Sequence, residues 1–337
     1  MTNAFRSTMT AVALIAGAVG LSAGSVNAED MPGKGTTIKM AQATWDTGWF
    51  QAAIYKQMFE ALGYAVEGPT TLDAPIFYQS VAQGDVDLWV NGWFPLHDTY
   101  KETFDGSASI VGAVAKGGAL QGYLVDKAAV EEFGIKTLDD FKRPEVMKAF
   151  DRNGDGKADL VACPPGWGCE VTITEHMKNY DLGDAINPIK AGYSASMADA
   201  IAAYKGGEHI LFYTWTPNWT VNELKLGEDV MWIEVPEKDG VETPAAAEGI
   251  KACVEDPCRM GFVANDIVPV VNNAFLEKNP AVATLLKDVK IPLADIFAQN
   301  AAMNAGDDKV DAQAAEWVKK NQAAVDGWLA AARAAAK

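Results

Sequence analysis

Basic residues are scarce in this 337-residue chain, which has 28 Lys and Arg against 45 Asp and Glu and a formal net charge of −17. A surface this acidic repels phosphate backbones and anionic lipid headgroups. We therefore expect neither nucleic acid nor a membrane surface as a partner.

Familiar catalytic motifs are also lacking. The sequence has no nucleophile elbow, no HExxH and no evident Ser/His/Asp arrangement. An exported hydrolase that uses a pair of carboxylates beside aromatic platforms is one alternative, with Asp46, Asp98 and Glu170 as its candidates. The sequence favours a binding protein over an enzyme.

Cysteine is rare, and the four cysteines form two close pairs, Cys163/Cys169 and Cys253/Cys258. A four-cysteine zinc site normally uses CxxC spacing, which is absent here. We predict two local disulfides, which suit an exported protein.

Long apolar runs are missing except near the N-terminus, where Arg6 precedes a short apolar stretch from Met9 to Leu21. The sequence Val26-Asn27-Ala28 has the small residues of a signal-peptidase site. Residues 1–28 are thus predicted to be a signal peptide that is cleaved after Ala28. The expected location is the periplasm.

The rest of the chain alternates strand-like and helix-like segments, which is typical of a largely parallel α/β sheet. Its length fits two domains. A strand at residues 117–125 is predicted to leave the first lobe, and another at 261–271 to return to it. The prediction is lobe I at 29–118, lobe II at 119–261 and the second part of lobe I at 262–337. Single helices are expected at 274–287 and 309–335.

Tryptophans follow three of the predicted strands. Trp93, Trp167 and Trp215 each lie in a loop with Pro or Gly close by. Any one of them alone would more commonly be a packing residue, but ligands of such sheets bind beyond the carboxyl ends of the strands. Stacked indole faces select a quaternary ammonium, which has no N–H to donate. The three positions therefore predict a site for such a cation.

Donors for an anion are predicted beside the same rings. Gly168 and Cys169 begin a predicted helix, where backbone N–H groups lack acceptors within the helix. His97, four residues after Trp93, would add a side-chain donor from the other lobe. A ligand that carries both charges would use both features.

The chain resembles the ProX-type periplasmic glycine betaine/proline betaine-binding proteins of osmoprotective ABC importers. The matching stretches, in order along the chain, are Pro32–Gly35, Pro95–Asp98, Gln121–Leu124, Asp151–Leu160, Pro165–Glu170 and Tyr213–Pro217. The resemblance implies a type II-like two-lobed binding protein with two crossings between its lobes. It also implies that Trp93, Trp167 and Trp215 box the ammonium, and that His97 and the backbone of Gly168 and Cys169 hold the carboxylate.

The resemblance further implies a membrane permease as partner and no catalytic cofactor, and we expect a monomer. The chain departs from the family pattern at Phe94, at Trp45, Asp46 and Trp49, and in having the pair Cys253/Cys258. Glycine betaine, proline betaine, dimethylsulfoniopropionate and choline therefore all remain candidate ligands. Whether Trp45 or Trp49 enters the pocket is left open.

A separate motif, Asp151–Asp159, has the oxygen-bearing residues Asp151, Asn153, Asp155 and Asp159 at positions typical of the first part of an EF-hand loop. Position 12, normally a bidentate glutamate, is Ala162. Two interpretations remain: a structural calcium site, or a turn that is stabilised by its own side chains.

Overall fold

The computed structural model describes residues 31–337, so the predicted signal peptide lies outside the described residues. The strands are β1 (Thr37–Ala43), β2 (Ala65–Leu72), β3 (Leu88–Phe94), β4 (Ala108–Ile110), β5 (Ala115–Ala119), β6 (Gln121–Asp126), β7 (Ala158–Val161), β8 (Ile186–Ile189), β9 (Leu211–Trp215), β10 (Val230–Ile233) and β11 (Asn265–Asn272).

The helices are α1 (Trp49–Ala61), α2 (Ala74–Gln83), α3 (Lys101–Phe104), α4 (Lys127–Phe133), α5 (Pro144–Ala149), α6 (Gly168–Asn179), α7 (Tyr193–Lys205), α8 (Thr220–Glu223), α9 (Asn273–Lys278), α10 (Pro280–Asp288), α11 (Leu293–Asn304), α12 (Val310–Lys320) and α13 (Gln322–Ala335). Short 3-10 turns occupy Asp46–Gly48, Leu96–Tyr100 and Leu138–Lys142.

Two sheets form the centres of two lobes, as the sequence predicts. The first has the order β2-β1-β3-β11-β4, with β5 also paired to β11; the second has the order β10-β6-β9-β7-β8. We use lobe I for the part that carries the first sheet and lobe II for the part that carries the second. The chain passes from lobe I to lobe II between β5 and β6, and returns before β11.

The expectation of largely parallel sheets is only half right. The pairs of β1 with β2 and β3, and of β7 with β8 and β9, are parallel. The strands next to the crossings run the other way: β11 is antiparallel to β3, β4 and β5, and β6 is antiparallel to β9 and β10. Strands that enter a lobe from its neighbour need no helical crossover, so antiparallel pairing is available to them.

Three predicted elements are each divided in two. The strand predicted at 117–125 is β5 in one sheet and β6 in the other, separated by Leu120. The helix predicted at 274–287 is interrupted before Pro280, which begins α10 and cannot donate within a continuous helix. The helix predicted at 309–335 turns at Asn321, whose backbone N–H and side-chain Nδ2 both donate to the carbonyl of Trp317 at 2.9 Å.

Within the described residues, no helix is long and apolar enough to cross a membrane.

Candidate functional site

The three predicted tryptophans lie at or beyond the carboxyl ends of three strands. Trp93 and Trp215 are strand residues rather than the predicted loop residues: Trp93 lies near the end of β3, and Trp215 is the last residue of β9. Trp167 lies in the loop between β7 and α6, as predicted, and is the N-cap of α6. All three are at most 8% exposed. They come from both lobes and line one cavity between them.

The cavity is small: the space open to the centre of a water-sized sphere is about 30 Å³. Drug-sized ligands occupy pockets of about 300–1,000 Å³, so this one suits a much smaller molecule. Its lining consists of Trp45, Trp93, Leu96, His97, Gln121, Trp167, Gly168, Cys169, Tyr213 and Trp215. All six predicted ligand-binding residues are among them.

Three of the indole rings, those of Trp45, Trp167 and Trp215, meet at steep angles. The ring centroids of Trp167 and Trp215 are 5.4 Å apart with planes at 77°, and those of Trp45 and Trp167 are 5.6 Å apart at 71°. Perpendicular rings form the walls of a box rather than a stack. Such walls present several π faces to one bound group.

His97 is buried at the lobe I side of the cavity. Its Nδ1 lies 3.2 Å from the backbone N–H of Trp93 and 2.8 Å from the hydroxyl of Tyr78. Since the backbone group can only donate, Nδ1 must accept, and in the neutral ring the proton then resides on Nε2. Burial lowers the pKa of His97 to about 3. His97 is therefore a neutral donor through Nε2 at physiological pH.

The start of α6 faces His97 across the cavity. The helix begins at Gly168, with Trp167 as its N-cap, so Gly168 and Cys169 belong to the first turn. N–H groups of a first turn have no acceptor within the helix and carry the positive end of its dipole. A Cβ atom on Gly168 would lie 2.9 Å from Cδ2 of His97. The two lobes are thus in contact where the anionic end of a ligand is expected.

Four residues of the lining are not among the predicted ligand-binding residues: Trp45, which the sequence leaves open together with Trp49, and Leu96, Gln121 and Tyr213. Trp45 lines the cavity, whereas Trp49 does not; the Trp49 indole donates instead to the carbonyl of Ala43 at 2.8 Å. Gln121 is 1% exposed, and its Oε1 accepts from the hydroxyl of Tyr213. Within the described part of the chain, Gln121 Nε2 finds no hydrogen-bond partner. A buried unpaired donor beside a cavity points to an acceptor on the molecule that fills it.

The carboxylates required by the hydrolase alternative do not line the cavity. Asp98 pairs with Lys101 at 2.8 Å, and Glu170 pairs with Lys190. Asp46 accepts from Asn300 Nδ2 at 3.1 Å, and burial raises its pKa. The three side chains are each engaged elsewhere, so they offer no acid–base pair next to the tryptophans.

Both predicted disulfides are confirmed. Cys163 is joined to Cys169, and Cys253 to Cys258, with Cα atoms 6.0 Å apart in each case. The first bridge closes the short loop that carries Trp167 and the start of α6. It links Trp167, one of the rings predicted to contact the cation, to Gly168 and Cys169, the predicted donors to the anion.

The Asp151–Asp159 loop is folded on its own side chains. The carboxylate of Asp151 accepts from the backbone N–H groups of Gly154, Asp155 and Gly156 at 2.8–3.0 Å. Asp159 accepts from the backbone of Arg152 and Asn153. Across residues 31–337, no group of three or more His, Cys, Asp or Glu side chains is arranged to hold a metal ion.

The chain is similar to known substrate-binding proteins of ABC transport systems. Residues 36–320 match the model of the family described as the substrate-binding domain of ABC-type glycine betaine transport systems. The glycine betaine-binding periplasmic protein OusX of Dickeya dadantii is 41% identical over 321 residues, which cover 94% of this chain and 96% of that protein.

The glycine betaine/proline betaine-binding periplasmic protein of Escherichia coli is 39% identical over 314 residues, 92% of this chain and 94% of that protein. Among solved structures, a glycine betaine, L-proline ABC transporter binding protein (ProX) from Borrelia burgdorferi superposes with a TM-score of 0.71. It is 18% identical, and the match covers 90% of this chain and all of that one. This likeness supports the two-lobed fold.

Proposed function

Because the chain belongs to the family of substrate-binding domains of ABC-type glycine betaine transport systems, we propose that it captures glycine betaine or a closely related quaternary ammonium zwitterion for an ABC importer. The observation that carries the proposal is the single cavity that joins indole walls to a helix start and a neutral histidine. Each end of a zwitterion finds its chemical complement there.

The cationic head is proposed to lie among Trp93, Trp167 and Trp215. A trimethylammonium group offers no hydrogen bond, so its recognition depends on π faces and on exclusion of water. Cation–π contacts contribute about 0.5–2 kcal/mol for each ring, more when the site is desolvated. The three rings are nearly fully buried, which favours the upper part of that range.

The carboxylate is proposed to accept hydrogen bonds from the backbone of Gly168 and Cys169 and from Nε2 of His97. The positive end of the α6 dipole adds to the attraction without any charged side chain. Gln121 Nε2, which has no protein partner within the described residues, is proposed as a further donor to the same group. The site would thus hold an anion by dipoles alone.

The ligand is proposed to bridge lobe I (residues 29–118 and 262–337) and lobe II (119–261). A ligand that contacts both lobes stabilises the closed form, because its affinity for that form is higher. The membrane permease of the importer would then recognise the closed protein. Its relatives are periplasmic proteins, and we propose the same location here, as a monomer after cleavage behind Ala28.

Choline and dimethylsulfoniopropionate are the alternative ligands. Choline keeps the ammonium but lacks a carboxylate, so it would leave the donors of Gly168, Cys169 and His97 without an anion. The deciding experiment is calorimetric titration with glycine betaine, proline betaine, dimethylsulfoniopropionate, choline and proline. We expect the betaines to bind most tightly. Tighter binding of choline would overturn the proposed ligand class, and turnover of any of them would indicate an enzyme.

Calcium is not required by this proposal. The carboxylate of Asp151 is already occupied by backbone N–H groups, which favours the turn stabilised by its own side chains. We therefore expect EDTA to leave the melting temperature unchanged. A melting temperature that falls with EDTA and recovers with calcium would instead support a structural ion at Asp151, Asn153, Asp155 and Asp159.

A further inference from the structure

The loop between β1 and α1, residues Thr44–Gly48, is linked by hydrogen bonds to all four indoles of the cavity. It supplies one of them, Trp45. Its two threonine hydroxyls accept hydrogen bonds from the indoles of lobe II, Trp167 and Trp215. The fourth indole, Trp93, shares a hydrogen-bond acceptor with Trp45. We refer to residues 44–48 as the β1–α1 loop.

Trp45 is held in the cavity wall by a buried amide. The Oδ1 atom of Asn91 accepts from the indole N–H groups of both Trp45 and Trp93. Asn91 Nδ2 in turn donates to Gln51 Oε1 at 2.7 Å. Gly48 lets this amide approach the loop, since a Cβ there would lie 2.9 Å from Asn91 Oδ1. Trp45 is 6% exposed, comparable to the other three indoles.

The hydroxyl groups of the loop fix the opposite walls. Thr44 Oγ1 accepts from Trp167 Nε1 at 2.9 Å and donates to Asp73 Oδ1 at 2.9 Å, so its orientation is set from the lobe I side. Thr47 Oγ1 accepts from Trp215 Nε1 at 3.2 Å, and Thr47 is 1% exposed. Both bonds run from lobe II to lobe I. They can form only when the lobes are closed.

We propose that the β1–α1 loop is part of the binding site: Trp45 is a fourth ring around the quaternary ammonium, and Thr44 and Thr47 are positioning residues that orient Trp167 and Trp215 in the closed form. The inference rests on the proposed function, which needs three rings and names no role for this loop. Packing of Trp45 against Trp89, with ring centroids 5.6 Å apart, is the competing explanation for its position.

The role of Trp45 is tested with a pair of ligands that differ only in charge. In 3,3-dimethylbutyrate a carbon atom replaces the nitrogen of glycine betaine, so shape and carboxylate are kept while the cation is lost. The dissociation constant for 3,3-dimethylbutyrate divided by that for glycine betaine isolates the cation–π contribution. Loss of packing alone weakens both ligands alike and leaves the ratio unchanged.

In Trp45→Leu, we expect that ratio to fall by about 3- to 30-fold relative to the wild type, which is the range for one desolvated ring. Trp49→Leu is the matched control, since Trp49 does not line the cavity, and should leave the ratio unchanged. If the leucine variant is not folded, Trp45→Phe should lower the ratio by about 2-fold or more. An unchanged ratio in a folded Trp45 variant overturns the fourth ring.

The threonine roles are tested by stopped-flow tryptophan fluorescence with glycine betaine. Thr44→Val and Thr47→Val remove the acceptor and keep the shape, so each leaves a buried indole N–H unpaired in the closed form only. We expect dissociation to be about 5- to 20-fold faster, with association within about 2-fold of the wild type. Thr44→Ser and Thr47→Ser, which keep the hydroxyl, should restore slow dissociation.

Thr71→Val is the control, because Thr71 is an exposed lobe I threonine that accepts from Gln42 at 3.0 Å, away from lobe II. Its kinetics should match the wild type. Wild-type dissociation rates in both Thr44→Val and Thr47→Val overturn the positioning role, and leave the proposed function standing if the wild type binds glycine betaine. A wild type that binds neither glycine betaine nor any related quaternary ammonium zwitterion overturns both proposals.

Discussion

Gly168 and His97 lie in opposite lobes, yet a Cβ atom on Gly168 would be only 2.9 Å from Cδ2 of His97. The same Cβ would be 3.1 Å from Cγ of Leu96. Only a residue without a side chain lets the start of α6 close onto the histidine. The glycine is therefore required by closure rather than by backbone conformation, because it lies in an ordinary helical turn.

Gly168→Ala should separate affinity from stability. The added methyl group opposes closure, and overpacking of this kind costs about 1–3 kcal/mol, which corresponds to roughly 5- to 150-fold weaker binding of glycine betaine. The melting temperature of the ligand-free protein should not fall, since alanine is at least as good a helix former. Calorimetry and thermal melts check the two parts.

Gly327→Ala is the matched control for that variant. Gly327 lies in α13, and a Cβ there would meet no atom within 4 Å. It should bind as the wild type does. Wild-type affinity in Gly168→Ala would contradict the proposed contact between the lobes.

The affinity for glycine betaine should not change between about pH 5 and 8. The pKa of His97 is lowered to about 3, so the ring stays neutral throughout that range and its Nε2 donor is unchanged. A histidine that bound the carboxylate as a cation would instead strengthen binding as the pH falls through its ordinary value near 6.5. Titration at several pH values distinguishes the two, and affinity that rises below pH 6.5 would contradict the neutral donor.

The two disulfides should have different effects on binding. Each closes a loop of only a few residues, so each stabilises the fold by about 2 kcal/mol in the chain-entropy account. The Cys163–Cys169 bridge holds Trp167 and the α6 start, and the other bridge lies outside the cavity lining. Replacing Cys163 and Cys169 with serine should weaken glycine betaine binding by at least about 10-fold.

The double serine variant of Cys253 and Cys258 is the control, with a similar loss of melting temperature and unchanged affinity. Equal affinities in the two double variants would show that the first bridge does not organise the site.

Gln121→Glu should reverse the ligand preference. The substitution keeps an oxygen for the Tyr213 hydroxyl and replaces the unpaired Nε2 donor with a second oxygen. That oxygen repels a bound carboxylate and attracts an onium group. We expect weaker binding of glycine betaine and stronger binding of choline, measured by calorimetry. If both affinities stay at wild-type values, Gln121 is not a donor to the ligand.

Local patterns in the sequence predicted much of this site. Trp93, Trp167 and Trp215 could be found because each was expected at the end of a predicted strand, where ligands of such sheets bind. The ends of β3 in lobe I and of β7 and β9 in lobe II meet at the cavity between the lobes. Gly168 and Cys169 could be found because a helix start is visible in the sequence. The strand predicted at 261–271 corresponds to β11, but its antiparallel direction could not be predicted, since the apolar pattern of a strand does not show the direction of its neighbours. The turn at Asn321 could not be found, since the apolar pattern is the same on both sides of it.

Trp45 and Gln121 could not be assigned to the cavity lining from the sequence, because their positions depend on partners far along the chain. Trp45 is directed by Asn91, 46 residues away, and Gln121 by Tyr213, 92 residues away. Nothing in the sequence around either residue specifies these pairings. The departure at Trp45 from the family pattern was the one available signal, and it did not distinguish Trp45 from Trp49.

The most direct test of the central claim is the wild-type dissociation constant for glycine betaine compared with that for 3,3-dimethylbutyrate. Three or four buried indole faces, at about 0.5–2 kcal/mol for each, predict that glycine betaine binds at least about 10-fold more tightly. Equal dissociation constants would contradict the account, because the cavity would then recognise only the shape and the carboxylate.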